Sequence, residues 1–311
     1  MTNVKYSPNF SQYPRGMGCI PSPYDPRDYS IYTDKVYEYF SRIGVHGYME
    51  NVADLPLSVD NRHLCSPIRD QGHLGSCTSF ATVGLMEFFE NKNYTKFVDA
   101  SEMYLYKKLI TTDNFKCGGG TYISSAMKIL KNNGIPPDVC YPYQDYCPLL
   151  PTDPSCDLDA LNYVSNAYVN LKQGMNTAQA LINNIKSNLA VQNAVIFGMT
   201  TYTNDGDKGE WYYPCQGDKS GGGHAMLIVG YDDNKIMTNP RCPSSTTNGA
   251  FMIRNSWGDS WGNNGYGWVP YQNYLDGMSF DHYTVTGITI PSGGCPIPAC
   301  DFGIEDKYWF T

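Results

Sequence analysis

The hydrophobic positions along the chain follow one pattern in its first half and another in its second. In the stretch IRDQGHLGSCTSFATVGLMEFFEN (residues 68–91), the apolar residues after Cys77 are spread around the whole helical circumference, which predicts a buried helix. Residues 166–285 have the pattern of strands, apart from one helical segment, TAQALINNIKSNL. We therefore predict an α+β chain, mainly helical over residues 59–165 and mainly β over residues 166–285.

Two terminal segments lack this regularity. Residues 1–58 are turn-rich, as in GMGCIPSPYDPRDYSIY, with one short amphipathic stretch, DKVYEYFSRIG. We interpret them as an N-terminal arm packed on the main body, either a permanent structural strap or a segment that covers the functional site and keeps the protein latent. The tail, residues 286–311, contains Cys295 and Cys300, and we expect these two cysteines to form a disulfide within it.

Composition and charge narrow the classes of function. The chain has 311 residues and a formal net charge of -8 with no basic stripe, so we expect no nucleic-acid partner. No apolar run approaches about 18 residues, and the N-terminus lacks the basic start and apolar stretch of a secretory signal. We therefore expect no membrane partner, a monomer, and a cytoplasmic or, for a viral source, virion-packaged protein.

The eleven cysteines are an odd number, so at least one thiol stays outside any internal disulfide. They include no Cys-x-x-Cys pair, and no His stands at zinc-ligand spacing from two of them. We therefore expect no metal and no cofactor. The thiol that is left outside any disulfide is the group to consider as reactive.

Cys77 is the strongest candidate for a reactive thiol. A polar, Gly-rich loop leads into it, and the buried helix opens with Gly-Ser-Cys, which places the thiol at a helix N-terminus. Unpaired backbone N–H groups and the positive end of the helix dipole favour a thiolate there. The alternative is an inert cysteine buried in the core.

His224 and Asn255 are the candidates for a base and for the group that orients it. A Gly turn, SGGG, precedes His224 at the start of one predicted strand, and Asn255 stands near the end of the next, AFMIRNSWG. If the two strands pair antiparallel, these residues are neighbours, and the Asn carbonyl fixes the imidazole tautomer. Trp257 and Trp261 follow at once and can shield that hydrogen bond from water. Taken alone, His224 is also compatible with a solvated strand end.

Three segments together resemble the papain-like cysteine peptidases. They are QGHLGSCTSFA (71–81), GGHAMLIVGY (222–231) and NSWGDSWGNNGYGW (255–268). In addition, CGGG at 117–120 is similar to the glycine-rich substrate-binding strip of that family, and GIPPDVCYPY at 134–143 to its YPY segment. The resemblance extends from about Leu57 to Thr286. It implies a two-lobed fold with a helical lobe, a β-barrel-like lobe and an active site in the cleft between them.

The resemblance implies a role for each matching residue. Cys77 would be the nucleophile, His224 the base and then the acid, and Asn255 the residue that orients His224. Gln71 would donate its side-chain amide to the oxyanion, together with the Cys77 backbone N–H. A thiolate–imidazolium pair is then expected, with the pKa of Cys77 lowered and that of His224 raised. The implied function is a cysteine endopeptidase that hydrolyses peptide or protein substrates through a thioester acyl-enzyme.

The resemblance also implies where a substrate would bind. Gly119 and Gly120 would hold its backbone through exposed N–H and C=O groups. The pocket beside Gly120, with Gly198 on its wall, would accept a bulky apolar side chain. The remaining implied substrate-binding positions are Gly223, Ala225 and Trp257.

The chain departs from the family pattern at three positions. Thr78 stands where the family usually has Trp, and Gly223 where Asp or Asn is common. Leu74 stands where the family has a Cys, so the usual bridge to Cys117 cannot form. The QGHLGSCT segment and an arm reading IPSPYDPRDY look closest to the bacterial, archaeal and viral branch of the family.

Two other functions stay open at this point. One is a catalytically latent or peptide-binding protein with the papain fold. The other is a transglutaminase-like acyl transferase, which also uses Cys and His but normally has Asp where this chain has Asn255, and which lacks the Gln71 donor.

Overall fold

The computed structural model describes residues 16–147, 153–202 and 209–291. The α-helices in these ranges are α1 (Asp34–Arg42), α2 (Val45–Glu50), α3 (Cys77–Tyr94), α4 (Glu102–Thr112), α5 (Ile123–Asn132), α6 (Pro154–Ala160), α7 (Ala178–Ala190) and α8 (Tyr271–Leu275). The strands are β1 (Cys19–Ile20), β2 (Ser58–Asp60), β3 (Thr121–Tyr122), β4 (Tyr168–Asn170), β5 (Val195–Tyr202), β6 (Ser220–Met237), β7 (Thr247–Arg254), β8 (Tyr266–Pro270) and β9 (Ser279–Val285). Among these helices, none has both the length and the apolar character needed to cross a membrane.

Helix α3 is the centre of the helical lobe. Its residues from Cys77 to Glu90 are all buried, as expected for a helix that is apolar around its circumference. Leu85, Met86 and Phe88 belong to one core cluster that also includes side chains of α4, α5 and the sheet. The thiol-bearing end of α3 is therefore held by contacts along the whole length of the helix.

The β lobe is a twisted antiparallel sheet that stays open in the described residues. The strand order is β4-β9-β5-β6-β7-β8, and β2 pairs with β6 outside this path. Strand β6 is the longest and pairs with β5 on one side and β7 on the other. The expected two kinds of lobe are present, but the sheet does not close into a barrel.

A close approach between Gly84 on α3 and Arg254 on β7 joins the two lobes. A Cβ atom at Gly84 would lie 2.0 Å from Nη1 of Arg254. The guanidinium is buried, and its Nη2 donates to Ser66 Oγ (3.0 Å) and to the Pro67 carbonyl (2.8 Å). Since Asn255 directly follows Arg254, this contact sets the position of α3 relative to the site.

The later part of the N-terminal arm is packed into the β lobe. The Asp28 carboxylate is buried and accepts hydrogen bonds from the hydroxyls of Tyr283 (2.7 Å) and Tyr168 (3.2 Å). Arm side chains that are fully or almost fully buried in the β-lobe core cluster are Ile31, Val36, Phe40 and Val45. This part of the arm is a structural element of the β lobe.

Three disulfides are present in the described part of the chain. They join Cys117 to Cys147, Cys140 to Cys156 and Cys215 to Cys242. Cys19, Cys65 and Cys77 are free thiols. The predicted disulfide between Cys295 and Cys300 lies outside the described residues.

The contact between Gly84 and Arg254 predicts that alanine substitutions at two different glycines change the free energy of unfolding in opposite directions. We expect Gly84→Ala to lower the free energy of unfolding by about 1–3 kcal/mol, because the new methyl group has to displace a hydrogen-bonded guanidinium. Gly47→Ala is the matched control, since Gly47 is an exposed helical residue where an added Cβ would have no neighbouring atom within 4 Å, and we expect it to be neutral or to stabilise by up to about 1 kcal/mol. Denaturant unfolding measures both values, and equal effects would contradict the lobe contact.

Candidate active site

The thiol of Cys77 lies where the two lobes meet. Helix α3 begins at Cys77, as the sequence predicts, with Ser76 as its N-cap residue. The backbone N–H of Ala225, the residue after His224, donates to Cys77 Sγ at 3.4 Å. The candidate nucleophile and the candidate base are therefore brought to one place from opposite lobes.

The imidazole of His224 is held by Asn255. Nε2 of His224 lies 2.8 Å from Asn255 Oδ1, and the antiparallel register of β6 and β7, with Leu227 opposite Arg254, produces this neighbour relation. An amide oxygen can only accept, so the ring proton belongs on Nε2. Nδ1 is then an unprotonated nitrogen, and it is buried without a hydrogen-bond partner among the described residues.

Three tryptophans pack around this pair. The ring of Trp257 stacks on His224 with a centroid distance of 4.8 Å, and Trp261 meets Trp257 edge-on at 5.7 Å. Trp211, which sequence reasoning did not single out, lies 6.1 Å from His224 and 5.5 Å from Trp257. The predicted shielding of the His–Asn bond is present, and Trp257 is buried against the imidazole.

The side-chain amide of Gln71 is oriented by the residue that follows Asn255. Ser256 Oγ donates to Gln71 Oε1 at 2.5 Å, so Nε2 has to point the other way. Nε2 donates to the carbonyls of Leu74 (2.9 Å) and Gly16 (3.0 Å). One N–H donor of Gln71 is thus directed at a carbonyl of the N-terminal arm.

The described start of the arm runs through the cleft between the lobes. Gly16 N–H donates to the Gly72 carbonyl at 2.9 Å, and Gly18 N–H donates to the Gly223 carbonyl at 3.1 Å. The Gly18 carbonyl accepts from Thr121 N–H at 2.7 Å, and β1 pairs parallel with β3. We call residues 16–20 the cleft segment. Arm backbone therefore occupies the groove that the sequence assigns to substrate.

Two of the predicted substrate-binding glycines are in contact with this backbone. A Cβ at Gly223 would lie 2.0 Å from the Cys19 carbonyl oxygen, and a Cβ at Gly120 would lie 2.6 Å from the Gly18 carbonyl oxygen. Side chains at these positions would collide with the cleft segment. The absence of a side chain at Gly223, a departure from the family pattern, is explained by the arm.

The pocket beside Gly120 is already filled. A Cβ added at Gly198 would lie 2.9 Å from the Cys19 thiol and 2.2 Å from the ring of Phe280. Cys19 and Ala225 are both buried in this region. The expectation of room for a bulky apolar side chain is wrong for the covered cleft, because Phe280 and Cys19 take the space.

Burial changes the charge state expected for the catalytic pair. Cys77 and His224 are both fully inaccessible to solvent. Burial raises the pKa of Cys77 to about 11, partly offset by the backbone hydrogen bond from Ala225. Burial lowers the pKa of His224 to about 4, partly offset by Asn255. Burial in the covered cleft thus opposes charge on both groups, which runs against the predicted thiolate–imidazolium pair in this state.

The lowered pKa of His224 also makes the covered state sensitive to acid. The neutral imidazole is preferred when the cleft is covered, whereas a solvated imidazole has a pKa of about 6.5. The free energy by which the neutral imidazole favours the covered cleft is fully present above about pH 6.5. It is lost as the pH falls toward 4, because an imidazole in an open cleft is then protonated. Mild acid therefore favours an open cleft.

The covered cleft predicts two different pH profiles for alkylation of Cys77 by iodoacetamide. In the full chain, we expect a slow rate that keeps rising through alkaline pH, because the buried thiol has a pKa of about 11. In a chain beginning at Tyr24, which lacks the cleft segment, we expect substantial alkylation in mild acid, because His224 can then accept the thiol proton. Mass spectrometry of the Cys77 peptide measures both rates and excludes the other free thiols. Identical profiles in the two chains would contradict this account.

Comparison with known proteins agrees with this geometry. Residues 55–283 match the family described as papain family cysteine protease. Oryzain gamma chain of Oryza sativa subsp. japonica is 30% identical over 227 residues, which cover 70% of this chain and 56% of that protein. Cysteine proteinase 2 of Dictyostelium discoideum is 26% identical over 273 residues, which cover 73% of this chain and 68% of that protein.

A solved structure with similar architecture covers most of the arm as well. Xylellain, a cysteine protease from Xylella fastidiosa, aligns with a TM-score of 0.70 and 26% identity over 92% of this chain and 99% of that chain. The matched family region contains the thiol, the imidazole, the Asn and the Gln described above. The chain belongs to the papain family of cysteine proteases.

Proposed function

We propose that this chain is a cysteine endopeptidase that cleaves peptide bonds in a peptide or protein substrate through a thioester acyl-enzyme. One observation carries the proposal: Asn255 holds the proton of His224 on Nε2, beside a Cys77 thiol that is hydrogen-bonded to the next residue, Ala225. Nδ1 is thereby kept as a base within the same site. No metal or cofactor is needed for this chemistry.

Each residue has a defined step in the proposed reaction. His224 Nδ1 takes the thiol proton as Cys77 Sγ attacks the scissile carbonyl carbon. Gln71 Nε2 and the Cys77 backbone N–H donate to the oxyanion. The imidazolium then gives its proton to the leaving amine, and a thioester remains. Water, deprotonated by His224, hydrolyses the thioester and restores the thiol.

The cleft segment accounts for a latent state of this enzyme. The Gly16 carbonyl takes one N–H of Gln71 and, together with Gly18 and Cys19, fills the substrate groove. The backbone N–H of Gly18 donates to the Gly223 carbonyl at 3.1 Å, which ties the segment to the residue before His224. The segment therefore covers both the oxyanion donor and the groove that a substrate would occupy. A tethered segment needs only modest affinity, since its effective concentration is in the mM range.

The alternatives are less well supported. Asn255 and the Ser256-oriented Gln71 favour hydrolysis over a transglutaminase-like transfer, and the complete set of four catalytic residues argues against a protein that only binds peptides. The similarity to xylellain supports the proposed affinity to bacterial members, although oryzain gamma chain is a plant protein.

The disulfides bear on where the protein works. Three disulfides in the described part of the chain are more typical of oxidising compartments than of the cytoplasm. We therefore propose an extracytoplasmic or particle-associated location over the cytoplasmic one expected from the N-terminal sequence.

The catalytic roles predict a ranking of four variants, made in the full chain and in the chain beginning at Tyr24. We expect Cys77→Ala and His224→Ala to abolish turnover of a fluorogenic peptide. Asn255→Ala should cost less, because the base remains with poorer orientation. Gln71→Ala should lower kcat by about 10²- to 10³-fold with little change in KM. Labelling by a thiol-reactive peptidyl probe should vanish in Cys77→Ala. A folded Asn255→Ala variant as inactive as Cys77→Ala would contradict the ranking.

The latent state predicts activation by loss of the cleft segment. We expect the chain beginning at Tyr24, and separately the full chain with Gly223→Ala, to turn over peptide at least about tenfold faster than the unmodified chain. The alanine methyl would lie 2.0 Å from the Cys19 carbonyl and expel the segment. Gly221→Ala is the control on the same strand, since its Cβ would meet Thr201 and not the arm. Equal turnover of all four folded proteins would leave the arm as a structural strap.

A further inference from the structure

We infer that Asp145 is a positioning residue for the oxyanion donor, holding the loop between Gln71 and the nucleophile in its reactive conformation. The inference rests on the proposed function, because it assigns Asp145 a role through Gln71. Asp145 belongs to a segment, residues 143–147, that lies apart from the thiol, imidazole and Asn motifs.

The Asp145 carboxylate is bound to the backbone of the loop. Oδ1 accepts from the N–H of His73 (2.8 Å) and from the N–H of Leu74 (2.9 Å), and Oδ2 lies 3.0 Å from Nδ1 of His73. The loop is shaped for this approach. Gly72 has a φ of +61°, and a Cβ there would lie 2.2 Å from Asp145 Oδ2. Any side chain at Gly72 would push the carboxylate away.

The same loop residue that Asp145 binds also binds Gln71. Leu74 donates its N–H to Asp145 and accepts, at its carbonyl, the Gln71 Nε2 donor at 2.9 Å. Asp145 therefore holds the peptide group on one side of Leu74, and the carbonyl on the other side of Leu74 orients the amide directed at the oxyanion. If the Leu74 carbonyl moves, Gln71 loses one of the two partners that fix its N–H vector.

Asp145 is itself anchored on both sides. Two residues later, Cys147 is bridged to Cys117 in the glycine-rich strip. Two residues earlier, the Tyr143 hydroxyl donates to the Gln71 carbonyl (2.8 Å) and lies 2.8 Å from Ser76 Oγ. Segment and loop are thus linked at several points by hydrogen bonds.

These hydrogen bonds stand in the place of a disulfide that the family pattern has. The family pattern has a Cys at the position of Leu74, bridged to the position of Cys117, and this chain has Leu74 instead. Here Cys117 is bridged to Cys147, so the strip is tied to the Asp145 segment, and Asp145 ties that segment to the loop. The carboxylate restores non-covalently the connection between strip and nucleophile loop.

The ion pair with His73 is not the main interaction. The side chain of His73 is 78% exposed, and exposed pairs contribute little to stability. The carboxylate also accepts from two backbone N–H groups, which a substitution of the His73 side chain leaves in place. His73→Ala, which keeps both backbone donors, is therefore the matched control.

The test uses the full chain and two measurements on each variant: kcat and KM for a fluorogenic peptide, and the alkylation rate of Cys77 by iodoacetamide. Alkylation reports how often the cleft opens and how reactive the thiol is, but it forms no oxyanion. We expect Asp145→Ala to lower kcat relative to the alkylation rate by about 10- to 100-fold, with KM within about twofold. His73→Ala and Asp145→Asn, whose amide oxygen still accepts both N–H groups, should stay within about threefold.

A double variant separates positioning from a general structural effect. If Asp145 acts through Gln71, the variant with both Gln71→Ala and Asp145→Ala is no slower than Gln71→Ala alone. Multiplying losses, or an unchanged kcat in Asp145→Ala, would overturn the inference. If Asp145→Ala fails to fold by circular dichroism, Asp145→Ser, whose hydroxyl is too short to reach both donors, takes its place with the same expected losses. Unchanged kcat in Gln71→Ala would instead overturn the proposed oxyanion donor itself.

Discussion

The arrangement of the site depends on the antiparallel pairing of β6 with β7. With Leu227 opposite Arg254, the start of one strand lies beside the end of the other, and His224 meets Asn255. The same strand end supplies Arg254, against which α3 packs without a side chain at Gly84. One register therefore fixes the imidazole, its orienting amide and the approach of the thiol. A slip by one residue would turn the side chains of the slipped strand to the other face and separate His224 from Asn255.

The second constraint is the exclusion of water by the cleft segment. A thiol and an imidazole form an ion pair only if their charges are solvated or compensated, and burial under arm backbone gives neither. The N–H group of Ala225 stabilises a thiolate, but less than burial destabilises it. The proposed latency would then have two causes: the arm fills the groove, and burial under it opposes charge on both Cys77 and His224. Both effects disappear together when the segment leaves.

The sequence was sufficient where the signal was local or repeated a family pattern. The helix start at Cys77 follows from its apolar pattern, and the neighbour relation of His224 and Asn255 follows from two strand ends. The pairing of Cys117 with Cys147 and the carboxylate bridge of Asp145 could not be predicted, because each depends on where a loop returns in space. Trp211 was missed for the same reason. The effect of burial on the pKa values of Cys77 and His224 could not be predicted either, because it depends on an arm whose path through the cleft no periodicity encodes.

The absence of a side chain at Gly223 also affects which inhibitors would fit this cleft. An Asp or Asn at this position, which is common in the family pattern, would place its Cβ in the volume that the Cys19 carbonyl occupies here, since a Cβ at Gly223 would lie 2.0 Å from that oxygen. A covalent inhibitor with a small polar group directed at that volume would fit this cleft once it opens, and would collide with an Asp or Asn side chain at that position. The steric space that admits the arm thus distinguishes this cleft from others with the same catalytic residues.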